Sequence, residues 1–369
     1  MRVSDTDMLT LLLNYHIDTT RYSLGVKKLR AMRTSLGLIR SRSAPHTMES
    51  IRPAVQRLRE VYPKIGVLDM LMHLHAEGFE VKRLVEEYYM KTYEADLLRE
   101  RKANRLKRKR FWSAGVGDLW CIDQHDKWGR FELWLHTAVE PFSGRILWIR
   151  VWKGNRNPAL ICTYYLKCVE ELGVMPLVTQ SDLGKENYGI AKAHTALHHY
   201  HDPNLVGTIQ HRWMRNRKNI KPEIAWSQLR RRFTPGFEDL LEHGVAQGWY
   251  NALDPTHRYV FWWVFVPFLQ AELDKWRDRH NNNRKRADRT KILPHGAPNL
   301  IFQCPEYFGE AQFHVQVEAN ALSEVQRLYT PSEDSMLELV PAELQPVFDA
   351  AFEELGEPSI DHQTVWTVY

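Results

Sequence analysis

Three carboxylates carry the chemistry that this sequence suggests. Asp123 lies in Trp120-Cys-Ile-Asp123-Gln-His, Asp182 in Val178-Thr-Gln-Ser-Asp182-Leu-Gly184, and Glu223 in Asn219-Ile-Lys-Pro-Glu223-Ile-Ala-Trp226. Carboxylates that converge repel one another and shift each other's pKa unless a cation lies between them. Oxygen donors with room left for substrate oxygens suit Mg²⁺ or Mn²⁺. Two such ions about 3.5–4 Å apart activate a nucleophilic oxygen and stabilise the leaving oxygen in phosphodiester displacement. The chain has 45 Asp and Glu residues, and ordinary surface carboxylates at strand and helix ends give the same spacing, so the elements around them must decide.

Those elements are legible from periodicity. Asp118–Gln124, Phe131–Val139 and Arg145–Trp152 read as an antiparallel meander of three strands joined by short turns. Pro158–Leu172 has helical period, with Gly173 as its cap, and leads to a short apolar strand, Pro176–Ser181. A helical crossover makes that strand parallel to the first. Asn187–His199 reads as a helix, Thr208–His211 as a fifth strand, and Pro222–Phe233 as a helix with Pro in its first turn. The order is βββαβαβα. Asp123 and Asp182 then fall at one carboxyl edge of the sheet, where ligand sites of α/β folds form, and Glu223 opens a helix that can reach over it.

Upstream lies an internal repeat. Tyr22-x-x-Gly25-Val26-x-x-Leu29 is followed by Gly37, and Tyr62-x-x-x-Gly66-Val67-x-x-Met70 by Gly78. Each copy predicts a helix from its first glycine to just before its second. A turn and a new helix follow, from Ser41 or Ser43 in one copy and over Glu80–Tyr89 in the other. This is a duplicated helix-turn-helix pattern, which two ordinary helical hairpins would also give. Residues 99–110, RERKANRLKRKR, contain eight cations and one Glu. They suit a nuclear-import signal or a phosphate-contacting arm, here Arg105, Lys107, Arg108, Lys109 and Arg110. Arg212, Arg215, Arg217, Lys218 and Lys221 precede Glu223, and Arg284, Lys285 and Arg286 form a further basic loop. These are the expected phosphate contacts of the core. His125 reads as a hydrogen-bonded neighbour of Asp123, and Asp126 as part of a polar turn with Lys127. The stripe Trp249, Phe261, Trp262, Trp263 and Phe265 reads as buried helix core rather than a base-stacking surface.

Charge sharpens this division. Residues 1–112 hold 23 Lys and Arg against 13 Asp and Glu, residues 113–304 hold 26 against 19, and residues 305–369 hold 1 against 13. A basic body with an acidic tail suits a polyanionic partner. No run of 18 apolar residues marks a membrane span, and the first twenty residues lack a secretory signal layout. The four cysteines form no CxxC pair, so neither a structural zinc site nor a disulfide framework is indicated. A reducing intracellular compartment is expected.

Taken together, the motifs resemble the RNase H-like catalytic core of the retroviral integrase and transposase superfamily, closest to the integrase-core proteins of transposon origin found in fungi. The motifs are Asp118-Leu-Trp120-Cys-Ile-Asp123, the turn Pro141-Phe-Ser-Gly144-Arg, Ser181-Asp182-Leu-Gly184-Lys-Glu186-Asn, and Asn219-x-x-x-Glu223-x-x-Trp226. The resemblance covers about residues 113–304. It implies an α/β fold, with the mixed-sheet core over 113–234 and a helical extension over 235–304. Before the core stand the all-α repeats, 1–98, and a basic linker, 99–112; an acidic region, 305–369, follows it. It implies Asp123, Asp182 and Glu223 as catalytic ligands of two Mg²⁺ or Mn²⁺ ions, double-stranded DNA as partner, and a homo-oligomer on that DNA. No membrane and no small-molecule cofactor is implied, and the location is nuclear if the host is eukaryotic and otherwise intracellular. The alternative is a domesticated, catalytically silent DNA- or chromatin-binding protein. Two features depart from the retroviral pattern: no His-His-Cys-Cys module precedes the core, and the tail is acidic.

Overall fold

The glycines of the repeat become helix boundaries. The computed structural model describes residues 4–38, 45–103, 111–215, 219–285, 292–331 and 333–369. The chain forms two compact units, Met1–Lys109 and Arg110–Tyr369. The first holds α1 (Asp5–Tyr15), α2 (Val26–Ser35), α3 (Met48–Val61), α4 (Val67–Ala76), α5 (Arg83–Tyr93) and α6 (Ala95–Ala103). Gly25 and Gly66 are the N-caps of α2 and α4. Gly37 and Gly78 follow those helices with φ of 68° and 85°, the left-handed turn that only glycine adopts without strain. In the second copy α4 turns directly into α5. In the first, the expected starts at Ser41 and Ser43 lie outside the described residues. On α3, Ile51, Ala54, Val55 and Leu58 form the buried stripe that the helical period requires.

The second unit is built on β1 (Leu119–His125), β2 (Trp134–Glu140), β3 (Arg145–Trp152), α7 (Pro158–Leu172), β4 (Val174–Met175), β5 (Val178–Asp182), α8 (Tyr188–His201), β6 (His211–Met214) and α9 (Ile220–Arg232). The sheet order is β3-β2-β1-β5-β6, with β1–β2 and β2–β3 antiparallel and β1–β5 and β5–β6 parallel. This is the mixed sheet expected from the sequence, with β4 as an addition. Two elements shift. β2 starts at Trp134 rather than Phe131, because Gly129–Phe131 form a 3₁₀ turn closed by left-handed Glu132. The edge strand β6 lies three residues later than expected, because Thr208 is held in the preceding turn by its hydroxyl bond to the Leu205 carbonyl.

One face of the sheet is sealed by apolar packing of Trp120 and Ile122 against Leu160, Ile161 and Tyr165 of α7 and Ile190 of α8. α10 (Thr234–Ala246), α11 (Pro255–Asn282) and α12 (Pro298–Gln303) follow α9. A bare edge strand is a template for unwanted pairing, so its backbone groups need partners. On β3, Gln270 of α11 accepts from Val151 N–H (3.0 Å) and donates to the Ile149 carbonyl (3.0 Å). Three turns later, Asn281 does the same for Ile146, at 2.9 and 2.8 Å. The aromatic stripe divides: on α11 Phe261 and Phe265 are fully buried and Trp262 and Trp263 half-buried, whereas Trp249, expected in the same core, lies in the turn before α11 and is exposed.

The acidic tail joins the same unit. β7 (Val315–Gln316) pairs with β4, and α13 (Ala319–Tyr329) places Ala321, Leu322 and Val325 in the core under α7 and α8. After α14 (Glu333–Met336), α15 (Gln345–Glu354) sets Phe348 and Phe352 against Trp263. α16 (Val365–Val368) lays Trp366 on Gly244, where any Cβ would collide with the indole, and Trp366 donates to the Leu240 carbonyl at 2.8 Å. The tail is held by strand pairing and aromatic contact. Ending the chain at residue 304 should therefore abolish cooperative thermal unfolding of the second unit, whereas Trp366→Ala should only lower its midpoint, by the several degrees that about 2–3 kcal/mol represents. Calorimetry of both variants checks this.

Candidate active site

The parallel register places the two aspartates. Leu119, Trp120, Cys121 and Ile122 pair with Val178, Thr179, Gln180 and Ser181, a constant offset that continues to Asp123 and Asp182. Neighbouring strands lie about 4.8 Å apart and paired residues share a face, so both carboxylates rise side by side at the carboxyl ends of β1 and β5. Met214 extends the row on β6, and Cys121, Gln180 and Arg212 form the row beneath it. Arg212 is exposed on this face. It is one of the expected phosphate contacts, and the β5–β6 register shows that it shares the face of the two aspartates.

α9 is tied to this edge by two side chains whose roles were not read from the sequence. Asn219 precedes α9 and is fully buried. It donates to the Ile122 carbonyl at 2.7 Å and accepts from Gln180 at 3.1 Å, so one amide joins the strands just before each aspartate. Trp226 donates its indole N–H to Asp123 Oδ2 at 3.0 Å. Glu223 lies one turn before Trp226 on α9, hence on the same helical side, and is exposed. The spacing Asn-x-x-x-Glu-x-x-Trp thus has a physical content: Asn219 anchors the helix start, Trp226 fixes its rotation, and Glu223 lies between them.

The neighbours complete the frame. His125 stacks on Trp226, with ring centroids 4.9 Å apart and planes 15° apart. Burial, then the charges of Arg230 and Lys127, push its pKa down to about 4, so it is neutral. Glu186 folds back over Gly184, where a Cβ would collide with its carboxylate, and accepts from Gln124 and Asn187. That explains the glycine after Asp182. Asp126 accepts from Asn155 at 2.9 Å, a polar turn as expected.

The electrostatics are those of an uncompensated carboxylate pair. Asp123 is pushed up to about 7, first by burial and then by the charge of Asp182, with Glu223 adding to it; the Gln124 backbone N–H and the Trp226 indole pull the other way. Burial also raises Asp182, and its Oδ1 is enclosed without a hydrogen-bond partner among the described residues. A buried carboxylate oxygen without a partner is costly, and a cation removes the cost. The aspartate pair therefore fits a divalent ion, and Glu223 supplies the same hard donor type. Among the described residues, no three His, Cys, Asp or Glu side chains are gathered closely enough to hold a metal ion.

The expected phosphate contacts divide. Arg105, Lys107, Arg108, Lys109, Arg110, Arg217, Lys218 and Arg286 lie outside the described residues. Arg215 and Arg284 are exposed. Lys221 departs from its expected role: its ammonium donates to the Pro141 carbonyl at 2.6 Å and lies over the Phe111 ring at 4.3 Å, fastening α9 to the turn after β2. Lys285 is likewise engaged, donating to the His280 carbonyl at 2.7 Å.

Two predictions follow from this geometry. Asp123 has its pKa raised on folding, so its contribution to stability is present below about pH 4 and is lost as pH rises through about 7. In metal-free buffer Asp123→Asn should therefore be more stable than the native chain at pH 8, by roughly 2–4 kcal/mol, with no gain at pH 4. Denaturant unfolding at the two pH values measures it. Asn219→Ala strands the Ile122 carbonyl and the Gln180 amide and should destabilise the second unit by roughly 1–3 kcal/mol for each group left unpaired, read in the same titration.

The integrase core domain family model matches residues 112–301, just over half of the chain. No curated protein matches it. The matched span runs from just before β1 into α12 and contains Asp123, Asp182 and Glu223. It supports a nucleic-acid-processing function of the integrase and transposase type, on a DNA substrate. Fold, carboxylate edge and family match agree, and the chain belongs to the integrase core domain family.

Proposed function

We propose that the protein is a divalent-metal-dependent DNA integrase or transposase that cleaves phosphodiesters and joins DNA strands as a homo-oligomer on double-stranded DNA, in the nucleus if the host is eukaryotic. One observation carries the reading: Asp123 and Asp182 stand in register on adjacent parallel strands, with an enclosed carboxylate oxygen that has no partner among the described residues. Asp123, Asp182 and Glu223 would hold two Mg²⁺ or Mn²⁺ ions, which when bound activate the attacking oxygen and neutralise the leaving one. The chain's own residues supply the rest. Trp226 fixes the Asp123 rotamer, and Asn219 holds β1, β5 and the start of α9 as one piece. Exposed Arg212 and Arg215 on β6 and just beyond it offer phosphate contacts beside the pair, and the basic sequence of residues 99–110 and of the segment from Arg284 adds cationic charge for a polyanionic partner.

A second reading, a silent DNA-binding descendant, is favoured by the exposure of Glu223 and by the absence, among the described residues, of a gathered three-ligand group. Purified protein, Mn²⁺ and duplex DNA separate the two. Asp123→Asn, Asp182→Asn and Glu223→Gln should each reduce nicking and strand joining at least a thousandfold while changing DNA affinity less than about threefold. Native protein that binds DNA but shows no Mn²⁺-dependent nicking would establish the silent reading instead.

A further inference from the structure

The two copies of the repeat are not equivalent. In the second, Met70, Leu71, His73 and Leu74 of α4 are buried. In the first, Leu29 is the only buried residue of α2. Turned away from Leu29, at 3.6 residues per turn, lie Lys27, Lys28, Arg30, Ala31, Thr34 and Ser35, and all six are exposed. From Arg21 to Leu38 the chain has five cations and no Asp or Glu. Lys27 and Lys28 sit in the first turn of α2, where the helix dipole disfavours positive charge and where no side chain caps the end. This arrangement weakens the isolated helix and suits a polyanion lying against it.

Arg30 adds a geometric observation. Asp5, 9% exposed at the start of α1, accepts from Arg30 Nε at 2.7 Å and from Arg33 Nη1 at 3.0 Å. Arg33 is thereby held against α1, with its side chain 23% exposed, whereas Arg30 stays 57% exposed. A guanidinium anchored through Nε has its orientation fixed while its two terminal amino groups lead away from the anchor. Such an end-on fork matches the O6 and N7 acceptors of guanine in the major groove. Ala31, beside it, allows close approach of the helix backbone, and the groove, about 12 Å wide, admits one helix.

We propose that α2 is the sequence-reading helix of the first unit: it enters the major groove of duplex DNA, Arg30, buttressed by Asp5, contacts a guanine, and Lys27 and Lys28 contact flanking phosphates. α4 is the structural copy. The proposal deepens the DNA-binding half of the function given above and does not depend on its chemistry, so binding tests it separately from strand joining.

The test uses the full chain carrying Asp123→Asn, to prevent cleavage, and a randomised duplex pool. Sequences recovered by selection should bind at least about tenfold more tightly than scrambled duplexes. Arg30→Ala should abolish preference at one base pair and leave scrambled-duplex binding within about twofold, and Arg30→Lys should not restore the preference. The Lys27→Ala, Lys28→Ala pair should weaken binding to both duplexes and lower the salt dependence by about two phosphate contacts. The lysine pair has no described partner to lose, so it tests α2 even if Arg30→Ala perturbs the α1–α2 hairpin. Enrichment of no sequence would overturn the proposal. So would a preference that survives Arg30→Ala, or one abolished by Tyr88→Ala and Lys91→Ala on α5 but not by the α2 variants.

Discussion

The site depends on one constraint, the parallel pairing of β1 with β5. A parallel neighbour requires a crossover, here α7, and the crossover buries its apolar side against Trp120 and Ile122. Once that packing is set, strand geometry leaves no freedom over which residues share the sheet edge. A slip of one residue would turn Asp182 to the α7 side of the sheet. The carboxylate pair is thus held by the hydrophobic core beneath it, and its repulsion is carried by packing elsewhere in the unit.

The polar clips work on the same edge from above. Asn219 and Trp226 set the start and rotation of α9, and Lys221 fastens its first turn to the Pro141 turn. Further away, α11 closes the β3 edge through Gln270 and Asn281, and the tail braces α10 and α11 through Trp366. The acidic segment, which the charge distribution sets apart from the basic body, is in its described part a structural wrap. Its acids stay outside and its aromatics turn inward.

Much of this was legible in the sequence because it rests on local periodicity and turn chemistry. The three meander strands, α7 with its Gly173 cap, and the pairing of Asp123 with Asp182 across one crossover follow from short-range pattern. The start of β2 was misplaced because Glu132 takes a left-handed conformation that its residue type does not announce. The role of Asn219 was hidden because its partners, Ile122 and Gln180, are distant in sequence and meet only in the assembled sheet. Lys221 was misread because a cation near a candidate site looks the same whether it faces phosphate or a backbone carbonyl. The inequality of the two repeats was likewise invisible, since it lies in what covers each helix.

On the proposed function, Asp123 and Asp182 form a divalent-cation site built by strand register. Titration of Mn²⁺ into the metal-free full chain at pH 8, followed by the electron paramagnetic resonance of free Mn²⁺, tests it most directly. Binding should be saturable, should be removed by Asp182→Asn, and should fall as pH drops below about 7, where Asp123 takes up a proton. Mn²⁺ binding unchanged in Asp182→Asn, or absent from the native chain at pH 8, would contradict it.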